Sequence, residues 1–343
     1  MESKDLFLMP PMPPLPPMPQ LDLPPPKKWT DSMETYDELF NADLPDPEWL
    51  IKNILPKPGL IAITGKPGSY KTWFTQWMIQ RLAHGKQLFD RYEEEGCWFQ
   101  DSHTRPINVL FIEEEMSRRQ IRKRMVDTKT FGPCENFYWN ISGGFDLQDP
   151  NIMQQLTSFI KEKKIEVVVF DPFTSCTKMK DENSNSEARI VMDIIRHELV
   201  DSELECSVIF IHHPSKGDEN SSNIRGAGDI LGKCDMHFVI SIEERSKDYA
   251  KILIECGKSR YEPIEPFYAI LQKDYQDIYQ RLIWTFGSVK KDEQNQKNKS
   301  SEEYQIMKKY LENHPTAERK DVAELLNLNP KGTKFRTLWN ELS

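Results

Sequence analysis

The chain has 343 residues, enough for one large or two smaller domains, because single cores stop growing near about 250–300 residues. With 29% charged and 38% hydrophobic residues, and no apolar run near the roughly 18 residues of a membrane span, it reads as a soluble chain with a sizeable core and not as a membrane protein. A formal net charge of −9 speaks against a surface coated in positive charge for nucleic acid, since Lys and Arg supply that affinity, so any DNA contact has to be local.

Met1-Glu2-Ser3-Lys4-Asp5 lacks the basic region and apolar run of a secretory signal, and the cytoplasm is the expected compartment. Six cysteines (Cys97, Cys134, Cys176, Cys206, Cys234, Cys256) stand singly, without zinc spacing, and read as reduced thiols. Residues 9–26 are dominated by proline, which removes amide donors and favours extended polyproline II. Residues 1–43 thus read as a disordered arm, either a tether for a partner or an inert tail.

From Leu44 short apolar runs alternate with helix-length amphipathic segments, the pattern of a mainly parallel sheet with crossover helices. The strands are expected at Leu60 to Thr64, Ile107 to Ile112, Ile165 to Phe170 and Val208 to His212. Helices are expected at Lys71 to His84, Ser117 to Asp127, Pro150 to Lys163 and Ser186 to Val200. Four later runs, Met236 to Ile242, Ile252 to Cys256, Phe267 to Leu271 and Leu282 to Phe286, have no helices between them and read as antiparallel additions at the sheet edge. The fold class is therefore α/β, with the core over residues 44–287. Residues 288–300 form a polar, lysine-rich linker. Residues 301–343 carry three short helical segments, the last two joined by the turn Asn329-Pro330-Lys331-Gly332, and read as a helix-turn-helix-like unit. Lys331, Lys334 and Arg336 lie at the start of its third helix, where phosphates or base edges would be met.

The run Gly65-Lys66-Pro67-Gly68-Ser69-Tyr70-Lys71-Thr72, followed by Trp73, matches the phosphate loop G-x-x-x-x-G-K-S/T between a strand and a helix. Backbone amides and the helix start would surround the phosphates of ATP, Lys71 would reach the β and γ phosphates, and Thr72 would ligate Mg2+. Tyr70 stands where the second glycine belongs, so it has to be placed without glycine's freedom, and this leaves nucleotide preference open. Val109 to Ile112 runs into Glu113-Glu114-Glu115, and a carboxylate at a strand tip beside the γ phosphate can polarise water for in-line attack. Glu115 is assigned that role, and Glu113 and Glu114 a solvated loop face. Val167-Val168-Val169-Phe170-Asp171 has the form of a magnesium-organising strand, making Asp171 the second metal ligand. The strand Ser207 to Ile211 ends in His212-His213-Pro214-Ser215-Lys216, where a neutral histidine donating to phosphate fits better than a metal ligand and His212 reads as buried.

In chain order these elements, with Arg225-Gly226-Ala227-Gly228-Asp229-x-x-Gly232 and Lys258-Ser259-Arg260, resemble RecA-like ATPases, most closely the plasmid RepA-type hexameric replicative helicases and their mobile-element relatives. The Glu115-Met116-Ser117 stretch is also similar to the bacterial replicative DnaB family. The resemblance spans roughly residues 45–285. It implies that Glu115 is the catalytic glutamate, that His213 links the γ phosphate to a DNA-facing loop over residues 214–232, and that Lys216 and Arg225 touch the DNA backbone. It further implies that Lys258 and Arg260 are fingers inserted into a neighbouring subunit's site in a homo-oligomeric ring on single-stranded DNA, with no membrane partner. The activity so implied is an ATP-dependent DNA helicase; the second reading is a regulatory or scaffolding ATPase that assembles on ATP binding without unwinding DNA.

Overall fold

The computed structural model describes residues 33–86, 105–128, 132–179, 185–212, 227–262, 264–279, 281–289, 306–314, 317–326 and 328–330, with Thr30, Leu88, Phe335 and Trp339. The chain divides into two compact units at Asp46/Pro47. In the first, Thr35 and Glu38 form a reciprocal capping box that starts helix α1 (Tyr36–Phe40). The stretch expected as a disordered arm thus carries one capped helix, though none of its residues is buried.

The second unit opens with the antiparallel pair β1 (Glu48–Ile51) and β2 (Leu55–Lys57). Nine further strands make one sheet: β3 (Leu60–Thr64), β4 (Asn108–Glu113), β5 (Phe137–Ile141), β6 (Ile165–Asp171), β7 (Ser207–His212), β8 (Met236–Arg245), β9 (Tyr249–Ser259), β10 (Phe267–Lys273) and β11 (Leu282–Ser288). Their order is β11-β10-β9-β8-β3-β7-β6-β4-β5. From β8 to β5 neighbours run parallel; β9, β10 and β11 are added antiparallel.

The two halves of the sheet are covered differently, and the sequence shows it. Along β3, β4, β6 and β7 alternate side chains enter two separate cores. Ile61, Ile63, Phe111, Val167, Val169, Ile209 and Ile211 enter one; Leu60, Ala62, Leu110, Val168, Phe170, Val208 and Phe210 enter the other. A strand buried on both faces reads as an unbroken apolar run. β9 and β10 contribute only to the first core, so their buried and half-buried residues alternate. Of the four late runs, Met236 to Ile242 is not an antiparallel addition: it lies parallel beside β3, reached through helix α7 (Ala227–Lys233).

Helix α2 (Lys71–Ala83) lies in the first core with 11 of its 13 residues buried, so the amphipathic stripe expected of it is absent. Phe74 and Trp77 on α2 meet Trp284 and Phe286 of β11 at ring-centroid distances of 5.3–6.1 Å. Contacts of this kind add about 0.5–1.5 kcal/mol each beyond the area they bury, and they fix the helix that follows the phosphate loop. Helices α3 (Arg118–Asp127) and α4 (Pro150–Lys163) begin at reciprocal or side-chain caps from Ser117 and Asp149. A short helix α5 (Phe173–Thr177) follows β6. α6 (Asn185–Ile195) ends in a π-helical turn, Arg196–Val200, within the span expected as one helix. Near the C-terminus α8 (306–313) and α9 (Arg319–Leu325) share a small core of Met307, Val322, Ala323 and Phe335. Among the described residues no helix is long and apolar enough to cross a membrane. The five described cysteines are free thiols, and Cys176, Cys206 and Cys234 are buried.

Candidate active site

Parallel strands end on one edge, and register decides which side chains meet there. Thr64 of β3 faces His212 of β7, and Glu113 of β4 faces Asp171 of β6. The phosphate loop leaves β3 at this edge, where open α/β sheets bind their ligands.

Each residue of the loop has a local reason. A Cβ on Gly65 would sit 2.2 Å from the Ile240 carbonyl oxygen on β8, so only glycine fits. Gly68 has φ +78°, and Lys66, Pro67 and Gly68 are exposed while Ser69 is buried. Tyr70 takes φ 66°, ψ 16° as the N-cap of α2, the left-handed conformation a glycine would adopt freely. That costs a non-glycine residue on the order of 1–2 kcal/mol. The Phe74 amide donates to the Tyr70 carbonyl over 2.9 Å, closing the first helical turn.

Lys71 is buried and donates from Nζ to the carbonyls of Gly65 (2.7 Å) and Lys66 (2.8 Å). Burial lowers its pKa to about 8 against the opposing pull of Asp171 and Glu115, which places both carboxylates within its field. Asp171 is itself buried and raised to about 7, first by desolvation and then by Glu113, with a hydrogen bond to Thr72 pulling the other way. Its Oδ2 is buried without a hydrogen-bond partner. A paired threonine hydroxyl and aspartate with an unsatisfied buried oxygen fit a hard divalent cation that takes its remaining oxygens from phosphate and water. Mg2+ held by Thr72 and Asp171 would neutralise charge on the triphosphate.

The three carboxylates after β4 differ from one another. Glu113 is buried, its pKa raised by desolvation, and its Oε1 accepts from the amides of Glu115 (2.9 Å) and Met116 (2.8 Å). Glu114 accepts from the amides of Gly143, Gly144 and Phe145 at 3.0–3.1 Å. Neither is the solvated loop face expected of them; both organise backbone. Glu115 is exposed and has no such task among the described residues.

Further residues were not legible in the sequence. Arg124 of α3 stacks its guanidinium over Trp73 at 4.7 Å and is coupled to Asp171 and Glu113, with Nη1 buried and unpartnered. His237 of β8 is buried and its Nε2 lies 2.8 Å from Thr64 Oγ1, one residue before the loop. Desolvation lowers its pKa to about 4, so it is neutral at ordinary pH. Only their partners, distant in the chain, mark these two.

His212 is buried, its ring 5.9 Å from that of Phe173. His213, Lys216, Arg225, Lys331, Lys334 and Arg336 lie outside the described residues. The expected fingers do not stand free. Lys258 Nζ donates to the carbonyls of Leu231 (2.5 Å) and Gly232 (3.0 Å) at the end of α7. Arg260 donates to Gly232 O (3.0 Å) and pairs with Asp235 Oδ1 (3.0 Å). Asp235 also pairs with Arg196 at 2.6 Å and accepts the Leu60 amide at 2.8 Å.

The model of the AAA_25 family, described as an AAA domain, matches residues 25–219, more than half of the chain. The chain belongs to that family. Its phosphate loop, Glu115 and Asp171 all fall within the family match, and with the sheet order above they make it a RecA-like P-loop ATPase. No curated protein matches it significantly. Among solved structures, a KaiC-like protein from the hyperthermophilic archaeon Pyrococcus horikoshii OT3 is similar at 14% identity, with 70% of this chain and 96% of that chain covered and a TM-score of 0.43.

Proposed function

We propose that the protein is a magnesium-dependent ATPase that assembles into a ring and acts on single-stranded DNA as a replicative or mobile-element helicase. Lys71 neutralises the β and γ phosphates, and Glu115, exposed beside them, polarises the attacking water. The single observation that carries the DNA reading is where β7 ends. It ends next to the phosphate loop, where His212 faces Thr64, and the described chain resumes at α7. Lys258 and Arg260 grip the carbonyls that end α7. The two described ends, His212 and α7, therefore lie at the phosphate loop and at the finger pair respectively. Lys216 and Arg225, between those ends in the chain, would supply the local backbone contacts that an acidic protein needs.

A second reading, a nucleotide-switched scaffold, draws on the same fingers. Held on Asp235 and α7 of their own chain, they would have to leave these partners to reach a neighbour. Single-stranded DNA should raise ATP turnover of a translocating helicase, which should also unwind a forked duplex. A switch does neither, so the absence of both at every salt concentration would leave the scaffold reading standing.

A further inference from the structure

The tyrosine in the phosphate loop raises a question that the rest of the site leaves open. Tyr70 occupies a left-handed conformation with φ 66° at the point where loop becomes helix, in a cradle that has to hold its shape around a nucleotide. A residue held in such a conformation persists only where its surroundings over-determine it.

The surroundings come from β8. Its Val239 pairs with Thr64, the last residue of β3, yet β8 runs on to Arg245. Six residues thus overshoot the sheet edge alongside the phosphate loop, the first of them being the Ile240 whose carbonyl abuts Gly65. β9 pairs with the overshoot to its end, across a register shift between Ile242 and Glu244, with Arg245 opposite Ala250 and the Ser246 amide donating to the Tyr249 carbonyl over 2.8 Å. At its tip the Arg245 guanidinium lies 5.5 Å from the centroid of the Tyr70 ring. Its Nη1 is also 4.0 Å from where a Gly68 Cβ would sit. One side chain at the hairpin tip therefore lies against Tyr70 and close to Gly68, two of the loop's positive-φ residues. Tyr70 also packs against the core that holds α2.

We propose that Arg245 is a positioning residue of the nucleotide site: set against Tyr70 and close to Gly68, it holds the phosphate loop in the conformation that a second glycine would otherwise supply. The chain thereby keeps a tyrosine where the loop pattern calls for glycine, and couples nucleotide affinity to the β8–β9 hairpin. This rests on reading the loop as a nucleotide site.

The test is a double-mutant cycle on the full-length protein, read as affinity for a fluorescent ATP analogue with magnesium. Arg245→Ala should weaken binding about two- to fivefold, the range of a partly exposed cation–π contact, and Arg245→Lys should recover part of the loss. In a Tyr70→Gly background the same Arg245→Ala change should alter affinity by less than about 1.5-fold, because glycine needs no brace. The thermal midpoint of Arg245→Ala should match the wild type, since Arg245 is exposed. An equal loss in both backgrounds would mean that Arg245 meets the nucleotide directly and would overturn the brace. So would wild-type affinity in the single variant. A wild type that binds no nucleotide would overturn the site reading and the brace together.

Discussion

Three consecutive glutamates leave β4, and their neighbours, not their identity, separate what each does. Glu114 satisfies three amides of the turn after β5. Glu114→Ala should therefore lower unfolding free energy by about 0.5–1.5 kcal/mol, since the exposed Gly143 and Gly144 amides can turn to water, measured by denaturant titration. Glu115→Gln should leave stability alone and cut ATP turnover by about 10²–10⁴-fold, the range for a positioned base. Retained turnover there would move the base to Glu113. Lys71→Ala should abolish turnover too, because this ammonium is held by the Gly65 and Lys66 carbonyls inside the loop it serves. At this scale Lys71, Thr72 and Asp171 were legible because they follow a local pattern, and the structure brings them together. The sequence was silent where a role depends on a partner distant in the chain. Arg124 beside Trp73 and His237 beside Thr64 carry no motif. The Tyr70 anomaly was legible, but its left-handed geometry and its neighbour Arg245 were not.

Among the elements, the central strands announced themselves because both faces are buried and their sequences are unbroken apolar runs. β5 was missed because Phe-Tyr-Trp-Asn-Ile at the sheet edge is only half-buried and reads as neither a continuous nor a cleanly alternating run. The direction of β8 was misread because strand direction depends on the connection from β7, not on local composition. That strand also bears a pH-dependent element of stability. The folded pKa of His237 is lowered from 6.5 to about 4, so between those values the unfolded chain binds more protons than the folded one. Stability from this group is complete above pH 6.5 and is lost as the pH falls toward 4. The urea midpoint should drop across that window, and His237→Gln should flatten the drop; an unchanged slope in the variant would remove His237 as its cause.

At the scale of the whole molecule, Asp235 holds one of the two proposed fingers: it takes Arg260, Arg196 and the Leu60 amide at once. To serve a neighbouring site as proposed, Arg260 would have to leave both Asp235 and the Gly232 carbonyl of α7. Mixing Arg260→Ala with Lys71→Ala subunits, each inactive alone, should restore part of the ATPase by forming intact composite sites. Mixtures that stay inactive at every ratio would count against a shared site. The most direct test of a DNA-acting ring ATPase is ATP turnover of the full chain with and without single-stranded DNA, alongside its mass in solution. The expected result is magnesium-dependent turnover that DNA raises several-fold in a species of several subunits. Turnover indifferent to DNA, from a monomer at all nucleotide concentrations, would contradict it.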